Sequence, residues 1–466
     1  MRQEAGHSMI EQKRNIILYG AERFSRGAFD NVTLQDGALR LDDVAGQHVL
    51  YGCYTSQEFT MPAFSSVNVS WNADTPAGTV IETQCRVWVG GKWSAWKSFG
   101  KWSPDYPRRS VRVASEDADT MVFVMGDTVT VAMTGGATAL QMRIFLYADN
   151  EQLTPHVQLL AASVRPLKWN RWKGKPLERR LYLPEYDIGS HDPSFGASMD
   201  LPLTLAAMMN RYGLDILPEE LAYIMADGAT ADCRNAAYAA AAVGCIGFES
   251  YQAWMDLKEL RAEIRQGCAL AVELNGCEEK EGGTGWMGLW GFGYDEAVQA
   301  DYLLLNDPFA PRGAVGRTMD IAEFERRATG RVLVVHPTRH KRPTCRPLRR
   351  TCSLKPGTEP GTWDFDFRGE PLPLPDDFSG WLAASVRGGP ASATTANRSF
   401  ARIEKTLSGG IRLPVEMRVP GARYTIYAVD TTGALWVAEL QLQNQITKPA
   451  AESVSPAVKD RKEQHL

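Results

Sequence analysis

The 466-residue sequence lacks a long apolar run. Its longest nearly apolar stretch, residues 236–248, is too short and too rich in Ala and Gly to span a bilayer, and it reads as a packed interior helix. The N-terminus passes into Glu11, Gln12, Lys13 and Arg14 without an apolar core or a small-residue cleavage site, so no signal peptide is read and the chain as written is expected in the cytoplasm. An excess of either charge is also missing. A formal net charge of −4 gives no general attraction to nucleic acid or to a membrane surface, so neither a nucleic-acid partner nor a membrane span is expected. Histidine is scarce and dispersed, with 7 residues, and the 8 cysteines include no Cys-x-x-Cys pair. No metal-ligand spacing is present, and neither a metal nor a cofactor is expected. Cys345 and Cys352 are close enough in sequence for a bridge, whereas the other cysteines read as small apolar residues of a chain in a reducing compartment.

What is present is the patterning of a multi-domain globular protein. Residues 15–163 read as a β-sandwich of jelly-roll type. Thr83, Cys85 and Val87 alternate with Glu82, Gln84, Arg86 and Trp88, and Leu140, Met142, Ile144 and Leu146 repeat the pattern. Residues 181–337 give helices first and strands after, the order of an α+β domain. Pro218 with Glu219 and Glu220 starts one helix, residues 235–243 form an Ala-rich one, and residues 256–267 form another. Residues 355–442 form a smaller β-domain, with Pro420-Gly421 and Thr432-Gly433 as turns. Residues 443–466 are polar and read as a disordered tail. Basic residues flank the central domain. Arg165 to Arg180 precede it and Arg339 to Arg350 follow it, as solvated linkers or as arms for an anionic partner.

Within the central domain a series of short motifs occurs in a fixed order. It begins with Leu183-Pro184, continues with Asp200-Leu201-Pro202-Leu203-Thr204 opening a helix, and then reaches Gly293-Tyr294-Asp295 and Asn306-Asp307-Pro308. In order and spacing this series resembles the bacterial papain-like cysteine peptidases of the bacteriocin-leader (double-glycine) type, in their free-standing, peptidase-like branch. The resemblance covers about a third of the chain and implies a papain-like fold. It also implies site positions. The nucleophile position falls on Asp200, the general-base position on Met287 beside Trp286, the oxyanion-hole position near Ile188, and the orienting residue on Asp307. No Cys lies between His191 and Cys233 and no His between His191 and His336, so the absence of the reacting pair does not depend on register.

The chemistry of that family needs a thiolate and an imidazole to move its proton. A Met cannot transfer a proton, and an Asp is a poor acyl acceptor that reads more simply as a helix N-cap. The expectation is therefore a pseudopeptidase that binds a peptide or cell-wall-type ligand without cleaving it. Its groove candidates are Asp200, Trp286, Met287, Trp290, Asn306 and Asp307. Two alternatives stand beside it. One is an active thiol hydrolase using displaced residues such as Cys233 and His191. The other is a glycan-binding protein led by the sandwich, in which Trp88, Trp93 and Trp96 would stack on sugar rings, against the simpler reading of tryptophans packed between sheets.

Overall fold

The computed structural model describes residues 14–104, 121–191, 193–214, 216–226, 232–277, 283–311, 313–337, 350–372, 379–385, 399–406, 410–413, 423–429 and 435–442. The expected tail at 443–466, the acidic Glu278, Glu279 and Glu281, Cys345 and the second basic stretch up to Arg349 lie outside the described residues. Among the described residues most of the chain is strand. It forms a 13-stranded sheet, a 7-stranded sheet, a 9-stranded sheet and a two-stranded ribbon. No helix among them is long and apolar enough to cross a membrane.

The first sheet takes its strands from Asn15 through Pro166. Alternation holds here as the sequence predicts. In the Thr79–Val89 strand Ile81, Thr83, Cys85 and Val87 are buried, while Glu82, Gln84, Arg86 and Trp88 face outward. The Ala137–Ala148 strand pairs antiparallel with it, Gln141 opposite Arg86 and Arg143 opposite Gln84.

The second sheet is antiparallel throughout. It runs Glu249–Trp254, Ala328–His336, Leu270–Asn275, Thr284–Asp295, Ala300–Asn306, Gly316–Asp320, with Arg179–Arg180 added beside Thr284–Asp295. Helices Asp200–Asn210, Pro218–Met225 and Ala236–Cys245 precede all of these strands but Arg179–Arg180 in sequence. Their starts follow local chemistry. The Asn235 side chain accepts the N–H groups of Ala237 and Tyr238, and Asp256 and Glu259 form a reciprocal capping box at the Leu257–Gln266 helix. The third sheet, from Arg350 to Gln441, encloses its own small core around Phe365, Ile403, Ile411, Ile426 and Trp436.

One hydrophobic cluster runs without a break from the first sheet into the second. The junction is a strand that sequence patterning misses. Glu249–Trp254 is buried at every residue, so it shows no alternation. It is the edge of the second sheet, and an edge leaves a row of N–H groups that must be satisfied once buried. Side chains of the first sheet do this. The N–H of Ser250 donates to Asn72 Oδ1 at 3.1 Å, that of Gln252 to Ser70 Oγ at 2.9 Å, and that of Trp254 to Ser163 Oγ at 2.9 Å. Asn72 Nδ2 returns a bond to Ser250 O at 2.8 Å and reaches Ala240 O at 3.2 Å. Gly244 makes this approach feasible, since a Cβ there would sit 2.6 Å from Asn72 Nδ2.

The segment before the second sheet is largely exposed, as a solvated linker would be, and its tryptophans anchor it to the fold. Trp169 packs edge-on against Trp254 at 6.0 Å, Arg165 lies over Trp254, and the Trp172 carbonyl accepts the Lys258 N–H. Two of its exposed basic residues also meet the protein's own surface. Arg171 lies over Trp169, and Lys173 pairs with Glu325 at 2.9 Å.

Candidate functional site

The Asp200–Asn210 helix is buried along its whole length and packs on the Thr284–Asp295 strand. Its residues are apolar around the circumference because protein surrounds them. The helix begins at Asp200 itself, with Met199 at the cap position and no side-chain cap bond. The N-cap expectation for Asp200 is thus corrected. One carboxylate oxygen reaches the neighbouring strand and the other stays on the first turn of the helix. Asp200 Oδ2 accepts the Trp286 N–H at 2.8 Å, and Oδ1 accepts the Leu201 N–H at 2.9 Å and Arg234 Nε at 3.2 Å. Burial pushes the Asp200 carboxyl up to about 6, against the opposing pull of Arg234 and the two N–H groups.

The other positions implied by the resemblance lie on the Thr284–Asp295 strand and on segments tied to its neighbour Ala300–Asn306. Met287 follows Trp286 and is fully buried. Gly288 lies opposite Asn306 on the neighbouring strand. Asn306 Nδ2 donates to Pro184 O at 2.9 Å, which ties the Leu183-Pro184 segment to the same end of the sheet. Asp307 Oδ1 accepts the Phe309 N–H at 3.1 Å, and Oδ2 accepts Arg317 at 2.9 Å. The Ile188 N–H donates to Pro308 O at 2.9 Å. Trp290 lies further along the strand, half-buried, its carbonyl accepting the Leu181 N–H. Asp200, Trp286, Met287, Asn306 and Asp307 are exposed by only 0%, 2%, 0%, 5% and 6%. These five side chains are covered by the protein's own atoms.

Cys233 and His191 each engage a different group. Cys233 is buried and donates to Ala222 O at 3.5 Å, and His191 Nδ1 lies 2.6 Å from Glu219 Oε1. A thiol that the sequence reading passes over, Cys277, lies closer to the cluster. Its Sγ receives Arg327 at 3.5 Å and donates to Leu274 O at 3.3 Å. Burial pushes the Cys277 thiol up. Arg327 opposes this, and Asp307 and Asp200 add to it. Burial thus outweighs the Arg327 guanidinium and disfavours the thiolate that a nucleophile needs.

The outward face of the first sheet carries a different chemistry. Trp88 is exposed and meets Trp93 edge-on at 5.5 Å. Arg86 lies 4.7 Å from the ring centroids of both Trp93 and Trp96, and Arg143 lies 4.2 Å from that of Trp96 and 4.8 Å from that of Phe145. Tyr51 stacks on Phe145 at 5.9 Å, and Lys101 lies over Tyr147 at 4.9 Å. The guanidiniums are held in place by amides, Arg86 Nε on Gln141 Oε1 at 2.9 Å and Arg143 Nε on Gln84 Oε1 at 2.8 Å. The three tryptophans named from sequence thus share one face. The Trp96 ring is packed beneath two arginines, which leaves Trp88 and Trp93 as the more open aromatics.

With this geometry in view, the comparisons with known proteins bear on one part of the chain. A family model described as the Peptidase C39 N-terminal domain matches residues 18–164, the span of the first sheet, and supports a C39-like family relationship. Comparison with the curated proteins gives no match.

Proposed function

We propose that this chain is a catalytically degenerate cysteine-peptidase-like protein. On this reading an N-terminal β-sandwich, joined to a papain-like central domain, binds a peptide or cell-wall-type ligand that the chain does not cleave. The observation that carries the reading is the Asp200 carboxylate, buried and bonded to the Trp286 N–H at the helix start where the resemblance puts a nucleophile. Met287 in the base position has no proton to move, and Asp307, spent on Arg317 and Phe309, has no imidazole to orient. The match of a peptidase-associated N-terminal domain to the first sheet supports the family side of the reading.

Because the side chains at the groove positions are covered by the protein's own atoms, recognition falls to the outward face of the first sheet. Arg86, Arg143 and Lys101 there stand against Glu82, so a ligand with carboxylate or phosphate groups on a sugar or peptide chain fits that face best.

A survey of alkylation rates over all 8 cysteines, by iodoacetamide and peptide mass spectrometry, tests the loss of chemistry. Uniformly slow thiols are expected. One thiol that reacts far faster than the rest, at Cys277 or Cys233, would replace this reading with the displaced-residue hydrolase.

A further inference from the structure

The end of the Leu257–Gln266 helix meets the end of the Ala328–His336 strand. Gly267, in the left-handed conformation at φ 92°, closes the helix. The Cys268 N–H then donates to Glu263 O and the Gly267 N–H to Ile264 O, each at 3.0 Å. This is a Schellman closure, and it folds Cys268 back beside Glu263. His336, the last residue of its strand, supplies the third group. The Cys268 sulfur, a His336 ring nitrogen and a Glu263 carboxylate oxygen lie within 4.8 Å of one another. His336 Nε2 is 2.8 Å from Glu263 Oε2, and the Tyr251 ring meets the imidazole edge-on at 6.1 Å. Cys268 and His336 are buried, and Glu263 is partly exposed.

The arrangement is convergent. In a thiol–imidazole–carboxylate relay the sulfur and the carboxylate occupy opposite ring nitrogens and are kept apart by the ring. Here sulfur and carboxylate are themselves within 4.8 Å, so the three donors surround a point instead of forming a line. Thiolate, imidazole and carboxylate are the donor set that thiophilic divalent metals select, and three protein ligands leave one tetrahedral position for water.

We propose that Glu263, Cys268 and His336 form a binding site for a thiophilic divalent transition-metal cation of the Zn2+ class. Binding displaces the thiol proton and any proton on the imidazole, so it is weakened by acid. The Tyr212 hydroxyl, buried and without a hydrogen-bond partner among the described residues, lies near the Cys268 thiol.

The test is a Co2+ titration of the chelator-treated full chain, followed by Zn2+ displacement. One equivalent of Co2+ is expected to produce a sulfur-to-cobalt charge-transfer band that Zn2+ abolishes. C268S should remove the band and C277S should keep it. Should C268S fail to fold, Glu263→Gln, a near-isosteric change at a partly exposed position, serves in its place and is expected to weaken Co2+ binding about tenfold or more. No charge-transfer band in the wild-type chain would overturn the proposal. So would a band that survives C268S, or Co2+ affinity unchanged by Glu263→Gln.

Discussion

The Asp127 carboxylate of the first sheet lies 2.5 Å from the Arg331 guanidinium of the second, across 204 residues of sequence. The same oxygen accepts the Ala236 N–H at 2.9 Å, at the start of the Ala236–Cys245 helix. Arg331 also holds Glu273 at 3.1 Å and Gln252 at 3.1 Å. One side chain of the N-terminal sheet therefore supports both a helix N-terminus and a buried cation of the central fold. Removing Asp127 orphans the Ala236 N–H, while Arg331 keeps Glu273, so the loss is about 1–3 kcal/mol. Asp127→Ala is expected to lower the unfolding free energy, read from urea titration, by that order without altering the secondary structure. A double-mutant cycle with Arg331→Met should return a coupling well above the scatter of additive pairs. An additive cycle would show that the contact carries no energy.

The side chains that close the Glu249–Trp254 edge make a second prediction. Asn72→Ala orphans the Ser250 N–H and two carbonyls, and Ser70→Ala orphans the Gln252 N–H. Each buried donor left unmet costs about 1–3 kcal/mol. Both variants should unfold in a single transition shared by the first two sheets, followed by intrinsic fluorescence and far-UV circular dichroism in parallel. Two separated transitions would contradict a shared core.

His336 sets a pH dependence. Burial opposes its charge, but hydrogen bonds with Cys268 and Glu263 outweigh burial and raise it from its ordinary 6.5 to about 9. The groups that face it are Glu263 and Cys268, with Tyr212 behind the thiol and Glu249 opposite on the paired strand. A histidine with a raised folded-state pKa binds more protons folded than unfolded. Its contribution is whole below pH 6.5 and is lost as pH rises through about 9, on the order of 3 kcal/mol in all. In metal-free buffer the wild-type chain should lose stability over that window, and His336→Gln should flatten the slope there. An identical slope in both proteins would refute the assignment.

The arginine–tryptophan face predicts where a ligand acts. Trp93→Ala and Arg143→Ala should each weaken binding of an acidic cell-wall fragment, read by tryptophan fluorescence, by about tenfold. Salt should weaken the wild-type chain more than Arg143→Ala. Affinity indifferent to both substitutions would move the ligand to another surface.

Much of this architecture is legible in local patterns. Alternation marks the Thr79–Val89 strand, Asn235 and Asp256 mark two helix starts, and the Asn306-Asp307 turn falls beside Met287 as the motif order implies. Long-range satisfaction of polar groups is not legible in this way. Nothing near Ser250 announces that Asn72 will cap it, and a strand buried on every side carries no period. The grouping of Glu263, Cys268 and His336 depends on a helix closure meeting a strand end, so the wide spacing of the histidines hides it. The reach of one Asp200 oxygen to the neighbouring strand is likewise a tertiary choice, made by the Trp286 N–H.

The central claim is a peptidase-like fold without its reaction. Its most direct test is the turnover of double-glycine leader peptides by the full chain, with and without iodoacetamide. The account predicts cleavage no faster than in buffer under either condition. Turnover that iodoacetamide abolishes would contradict it.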